Sequence, residues 1–428
     1  MRKYPKVLVV SHTVFSESGN MGRTMADLLS GIPADNLAQL YFHSEIPTLK
    51  VCKRYFRVTD KDVLKSVFTR KSKYHVYTED DIRENRSTSR TDEGLTARIY
   101  QFSRRRTPVI YFARNLMWKL GKWNSDRLEA WIREFGPNVI FFSSGDYSFA
   151  YKIVCHIAEE FNIPVVMWCC DDHYISKIKS ISPLYRYNRK NLLKWAKRTA
   201  DLSTSIVAIS DKMQQDYSKL FRKNVEVVRI SSKENPDRIP CEERTGIVYA
   251  GNLGVNRLIP LLEVGKVVKE AGISEYSVID VYSGERDPNR LAFLTEENGI
   301  RFHGAVTQGE LGKILGSSKY LLHVEAFDDN SKKRTRYSLS TKIGESLQSG
   351  ACILAYGPQD ISSMEYLSQN GAAVILEKPE EISGILQELN KDKTKYQEYV
   401  NRAVKLAQRC HNREINDKIM LNVLSADK

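Results

Sequence analysis

The sequence predicts an α/β protein built from two doubly wound parallel-sheet domains. Three observations predict it. The chain has 428 residues and is 42% hydrophobic, too long for one ordinary core but rich enough in apolar residues to pack as two. Short continuous apolar runs alternate with amphipathic stretches along both halves, the pattern of strands covered on both faces by helices. A polar segment, Ser231–Arg244, carries Pro236 and Pro240 and reads as a linker between the halves. The expected bounds are 1–235 for the first domain, 241–395 for the second, and 396–428 for terminal helices.

The elements follow in order. Val7–Val10 is a buried strand, followed by the loop His12–Asn20 and a helix over Thr24–Leu29. Asn138–Phe142 is a strand that ends in Ser143-Ser-Gly-Asp146, and Ala150–Phe161 is the next helix. Pro164–Trp168 is a strand ending in Cys169-Cys-Asp-Asp-His173. Helices over Leu184–Ala200 and Met213–Leu220 flank a strand at Ser205–Ile209, and Val225–Ile230 closes the half. The second half repeats the pattern, with strands near residues 247, 278, 320, 352 and 373 and a helical tail over Thr394–Val423. In such sheets the loops at the carboxyl ends of the strands face the ligand, here at a cleft shared by the two domains.

Tyr337–Ala355 is the most informative stretch. Ser340 suits an N-cap, Gly350 suits the C′ position, and Ile343 and Leu347 lie one turn apart, so a short helix should run into a buried strand. Its start offers free amides, the hydroxyls of Ser340 and Thr341 and the Lys342 cation, a set suited to a diphosphate. Glu345 can accept hydrogen bonds from ribose hydroxyls. The plainer alternative is a capped surface helix with a Lys342–Glu345 pair.

Four blocks in order carry a resemblance: Ile247-Val-Tyr-Ala-Gly-Asn-Leu-Gly-Val-Asn-Arg257, Ile300-Arg-Phe-His-Gly-Ala-Val306, Leu311–Leu315 with Tyr320-Leu-Leu-His-Val-Glu325, and Ser340-Thr-Lys-Ile-Gly-Glu345. Together they resemble the donor-binding half of GT-B glycosyltransferases, similar to glycosyltransferase family 4 and to bacterial surface-polysaccharide enzymes. Weaker likeness extends over nearly the whole chain. The resemblance implies two Rossmann-like domains about a central cleft, terminal helices over 396–428 that pack back toward the first domain, and a nucleotide-diphosphate-sugar donor, with no separate cofactor and no metal. It implies substrate contacts from Gly19, Gly251, Asn252, Arg257, Gly284, Phe302, His303, Gly304, Ser340, Thr341, Lys342 and Glu345. A retaining reaction is expected, although the position eight residues before Glu345, where many retaining relatives carry a second glutamate, is Tyr337. Glu325 or Asp328 are then the carboxylates nearest in sequence to supply that role.

On the acceptor side, Asp172, His173, Asp146 and His12 follow predicted strands and are candidate bases. Related enzymes place a histidine near the end of the strand read as Pro164–Trp168, where this chain has Cys170 and Asp171, with His173 slightly later. Asp171-Asp172 equally suits a helix cap or a hydrogen-bonding role.

Charge narrows the partners. The net charge is +13, and residues 50–122 carry 19 Lys or Arg against 8 Asp or Glu. This insertion implies an anionic partner. Within it, Asp60–Asp92 reads as a polar excursion or lid. Gln101–Lys122 reads as an amphipathic helix with Arg104, Arg105 and Arg106 at its head, suited to an anionic membrane surface or packed on its own domain. No apolar run approaches the ~18 residues of a membrane span. No signal-peptide core precedes the first strand, so a cytoplasmic enzyme is expected, peripheral on the inner face of the plasma membrane. The seven cysteines show no metal-finger spacing and read as reduced thiols. The alternatives are another enzyme on the same fold, such as a nucleotide-sugar 2-epimerase, and a non-catalytic basic binding module. No nucleic-acid motif is present.

Overall fold

The computed structural model describes residues 4–17, 20–81, 107–176, 180–273 and 276–425. Gly19, the stretch 82–106 and with it Arg104, Arg105 and Arg106 lie outside the described residues. The chain forms two compact units, Met1–Val228 with Asp417–Lys428, and Arg229–Asn416. All seven cysteines are free.

The first unit holds eight strands: β1 (Val7–Ser11), β2 (Leu37–Tyr41), β3 (Arg54–Arg57), β4 (His75–Thr78), β5 (Val139–Ser143), β6 (Val165–Cys169), β7 (Ser203–Ala208) and β8 (Val225–Val227). They lie in the order β4-β3-β2-β1-β5-β6-β7-β8. All neighbours are parallel except β3 and β4, which pair antiparallel with Arg54 opposite Thr78. Every residue of β1, β2 and β6 is buried, as expected of strands covered on both faces. Met420, Val423 and Leu424 of the final helix join the core that Val7, Val9, Phe141 and Trp168 form.

Two expectations change here. The first helix starts at Asn20 rather than Thr24. The polar span Asp60–Asp92 is not an excursion over its described part. Asp60–Thr69 is a helix with a reciprocal capping box between Thr59 and Asp62, and His75–Thr78 is the sheet's edge strand. An edge strand needs only one neighbour and stays largely exposed, so its sequence lacks the apolar run that reveals a central strand. The helix Pro108–Leu120 starts at the Thr107 cap and is docked on its unit. Its Trp118 stacks on Phe149 with ring centroids 4.1 Å apart, and the indole N–H donates to Asp60 Oδ1 at 2.6 Å.

The second unit holds β9 (Thr245–Ala250), β10 (Ile279–Tyr282), β11 (Ile300–Gly304), β12 (Ser318–Val324), β13 (Cys352–Tyr356) and β14 (Val374–Leu376). Their order is β11-β10-β9-β12-β13-β14, all parallel, the arrangement of dinucleotide-binding sheets. Alternate residues feed cores on the two faces, Ile247 and Tyr249 on one and Val248 on the other. In each unit the chain reverses direction across the sheet at one point, between β1 and β5 and between β9 and β12. Ligands of doubly wound sheets sit beside such points, at the carboxyl ends of the strands.

Candidate functional site

The loop after β9 is tightly tied. The Gly251 amide donates to the Tyr282 carbonyl, and the Tyr249 hydroxyl to the Asn252 carbonyl. Asn252 turns its side-chain oxygen onto the Gly254 amide. Val255 and Asn256 then both take φ of +56°, in the left-handed region that a β-branched valine rarely enters. Such backbone persists only where its surroundings over-determine it, and it clusters at ligand clamps. Here the surroundings are the residues after β12. Asn256 Nδ2 donates to Asp328 Oδ2 at 2.9 Å, and Arg257 meets Glu325 through two hydrogen bonds of 2.8 and 3.1 Å.

Glu325 is only 2% exposed, so the pair is nearly dry. Burial opposes the Arg257 charge, and the Glu325 carboxylate overcomes it, raising the guanidinium above its ordinary pKa. His323 lies 3.9 Å from the same carboxylate, and burial pushes its imidazole down. Asp328 is held down to about 2 by the Ser331 and Asn256 side chains and the Ser331 amide. Glu325 is thus committed to Arg257, and Tyr337 is buried. Of the carboxylates considered for the missing glutamate, Asp328 remains the exposed one.

At the carboxyl ends of β10 and β11, the His303 ring stacks on Tyr282 at 4.6 Å and bonds to Asp280 at 2.7 Å. Phe302 points the other way, against the core, and Gly304 has a φ of +78°. A side chain at Gly284 would meet open space, whereas one at Gly251 would crowd Tyr249.

The helix carrying Lys342 differs from the expectation in its start. It runs Lys342–Gln348, with Thr341 as the N-cap residue and no side-chain cap. Ser340 Oγ accepts weakly from the Lys342 amide at 3.3 Å. The cap thus falls one residue later than the expected Ser340. Lys342 Nζ sits 3.1 Å from Glu345, and Gln308 bonds both partners. The Lys342–Glu345 surface pair is therefore present, and Gln308 is a member that spacing did not reveal.

In the first unit, His12 follows β1, Asp146 follows β5 and Asp171–His173 follow β6, three adjacent strand ends. The His12 ring lies 5.1 Å from Tyr147 and 5.7 Å from His43. The Tyr111 hydroxyl donates to Asp146, and the Arg114 guanidinium lies 4.0 Å over the Tyr147 ring. Helix Pro108–Leu120 thus reaches this point, which the sequence reading had assigned to a membrane or to packing.

Asp172, one of the expected bases, is held by its own loop and by Tyr217. Burial would raise its pKa, but amide bonds from Ile175, Ser176 and Tyr174 hold it down. Those amides and the Tyr217 hydroxyl give it four hydrogen bonds of 2.6–3.0 Å, so the carboxylate is already engaged. His173 makes an edge-on ring contact with Tyr174 at 6.3 Å. Among the described residues, no group of three or more His, Cys, Asp or Glu could hold a metal ion.

The fold has solved counterparts that are GT-B glycosyltransferases. HepE of Anabaena, solved with UDP, is 11% identical with a TM-score of 0.60, covering 98% of this chain and 99% of its own. Trehalose 6-phosphate synthase of Burkholderia multivorans is 10% identical with a TM-score of 0.60, and 98% of each chain is covered. Sucrose-phosphate synthase of Thermosynechococcus elongatus is 9% identical with a TM-score of 0.57, and 97% of each chain is covered. The chain therefore has the GT-B fold. No protein-family model matches, and no curated protein matches.

Proposed function

We propose that this chain is a glycosyltransferase. It moves a sugar from a nucleoside-diphosphate-sugar to a glycan or lipid-linked acceptor, in the building of bacterial cell-surface polysaccharide. The observation that carries this reading is the cluster at the switch point of the second unit. There the strained turn Val255–Asn256 is locked to Asp328, and Arg257 is locked to Glu325. The likeness to HepE, solved with UDP and with UDP-glucose, supports a nucleotide donor.

In the proposed reaction the bond from the anomeric carbon to the diphosphate breaks and a bond to the acceptor oxygen forms. The diphosphate leaves with its charge, and the acceptor proton passes to a base. Lys342, the Ser340 and Thr341 hydroxyls and Arg257 are assigned to the leaving diphosphate, each fixed donor contributing on the order of 3 kcal/mol. Glu345 is assigned to the ribose, and the His303–Gly304 segment with Gly251, Asn252 and Gly284 to the nucleotide. His12, Asp146 and His173 are assigned to the acceptor side. The reaction is taken as retaining and independent of metal, with the two cations balancing the diphosphate. The enzyme is taken as cytoplasmic and peripheral on the inner membrane face.

A thermal-shift panel of nucleoside diphosphates, UDP first, with and without EDTA, tests the reading. Ligand that binds only the folded state raises the melting temperature by mass action. A rise that survives EDTA is expected. Silence from every nucleotide at millimolar concentration overturns the donor site. The anomeric configuration of the product then tests retention.

A further inference from the structure

Three helices of the first unit lie side by side, Asp60–Thr69, Pro108–Leu120 and Pro183–Leu202, with the middle one touching both others. The Lys122 amide donates to Ser66 Oγ at 2.8 Å, and Asn188 Nδ2 donates to the Pro108 carbonyl at 2.7 Å. Their inward faces are accounted for by Val63, Trp118 and Leu192, all buried. Their outward faces carry apolar side chains among the charged ones. Val109, Ala113, Leu116 and Leu120 recur at one-face helical spacing, and all four are exposed, Val109 at 60%. Leu64 and Phe68 form a second exposed pair one turn apart, Phe68 at 80%. Ile181, at 92%, leads into the third helix.

The charge around this stripe has one sign. Exposed Lys65, Lys119, Lys122, Arg186 and Lys190 surround it. Residues 107–122 and 180–190 contain no acid, and the only acid from Lys61 to Lys73 is Asp62, buried in the capping box with Thr59. Asp60, at the stripe's inner margin, is taken up by Arg114 and Trp118.

We infer that this face is a docking surface for an anionic lipid bilayer. Exposed apolar side chains with cations beside them are the composition that seats a helix at the headgroup boundary, and each nearby Lys or Arg adds to the attraction. A second copy of the chain is the poorer occupant, because a twofold contact sets the same lysines against one another. The face deepens the lipid-linked-acceptor reading, since it would hold the enzyme where such acceptors lie. It rests on that reading only for its purpose, not for its geometry.

The test is co-sedimentation of the full chain, without nucleotide, with phosphatidylcholine vesicles and with vesicles containing about one-third phosphatidylglycerol. The chain is expected to partition to the anionic vesicles only. Leu64→Ser with Leu116→Ser and Leu120→Ser, and separately Lys65→Glu with Lys119→Glu and Lys122→Glu, should each weaken partitioning at least about tenfold. The charge variant leaves every apolar side chain in place, so it reads the surface even if the serine variant folds poorly. No binding to anionic vesicles, or full binding by the charge variant, overturns the inference. So does a size-exclusion shift from dimer to monomer in the serine variant, which would make the face a contact between copies. A chain that binds vesicles but no nucleotide keeps this surface and overturns the donor site instead.

Discussion

Arg257 and Lys342 are both assigned to the leaving diphosphate, yet their surroundings make their removal unequal. Arg257 faces a carboxylate that is 2% exposed, so Arg257→Ala strands a buried charge. That variant should lose about 3 kcal/mol of stability in urea denaturation, alongside its loss of nucleotide binding. Lys342 pairs with Glu345 where both side chains are about a third exposed. Lys342→Ala should cost less than about 1 kcal/mol, while abolishing the nucleotide-dependent thermal shift and turnover. Near-normal activity in that variant would remove the phosphate assignment. Asp172 adds a third case, because its bonds to three loop amides and Tyr217 predict a stability defect in Asp172→Ala, read as a lower melting temperature.

At the scale of the element, helix Lys342–Gln348 owes its position to one glycine. A side chain at Gly344 would lie 2.9 Å from His411 Nδ1 and 3.1 Å from the Ser232 Cβ. His411 cannot yield easily, since its ring bonds the Ile230 carbonyl at 2.8 Å and the Tyr366 hydroxyl at 3.1 Å. Gly344→Ala should therefore destabilise the chain by about 1–3 kcal/mol, measured by urea denaturation. Elements of this kind were legible to different degrees. β1, β5, β6 and β13 were visible because both of their faces are covered and their sequences are almost continuously apolar. β2, β3 and β4 were not, because Gln39 interrupts the short buried β2, Arg54 and Arg57 bracket β3, and β4 is an exposed edge. The site divides in the same way. Ser340 to Glu345 could be read from local chemistry, but Gln308 joins Lys342 and Glu345 only because its helix start packs beside theirs.

At the scale of the whole molecule, acid stability should report His411. Burial pushes its imidazole down to about 4, from an ordinary value near 6.5. The folded chain then holds a neutral ring where the unfolded chain binds a proton. Its contribution is intact above pH 6.5 and is lost progressively as pH falls from 6.5 toward 4, by up to about 3 kcal/mol. Urea midpoints measured across that range should fall for the parent chain, and His411→Gln should flatten the slope. A slope unchanged by the substitution would assign the acid sensitivity elsewhere.

The sequence by itself determined the fold class, since doubly covered strands must be apolar throughout and their alternation with amphipathic helices leaves few other arrangements. It also marked the loops proposed to carry the donor residues, because glycines, hydroxyls and cations at strand ends mark themselves locally. Only the tertiary structure decided how those residues are engaged. The commitment of Glu325 to Arg257, the clamping role of Asp172 and the turn of Tyr111 and Arg114 toward Asp146 and Tyr147 each join positions far apart in the chain. Such partners are chosen by the register of the sheet and the seating of helices upon it, which no local spacing encodes.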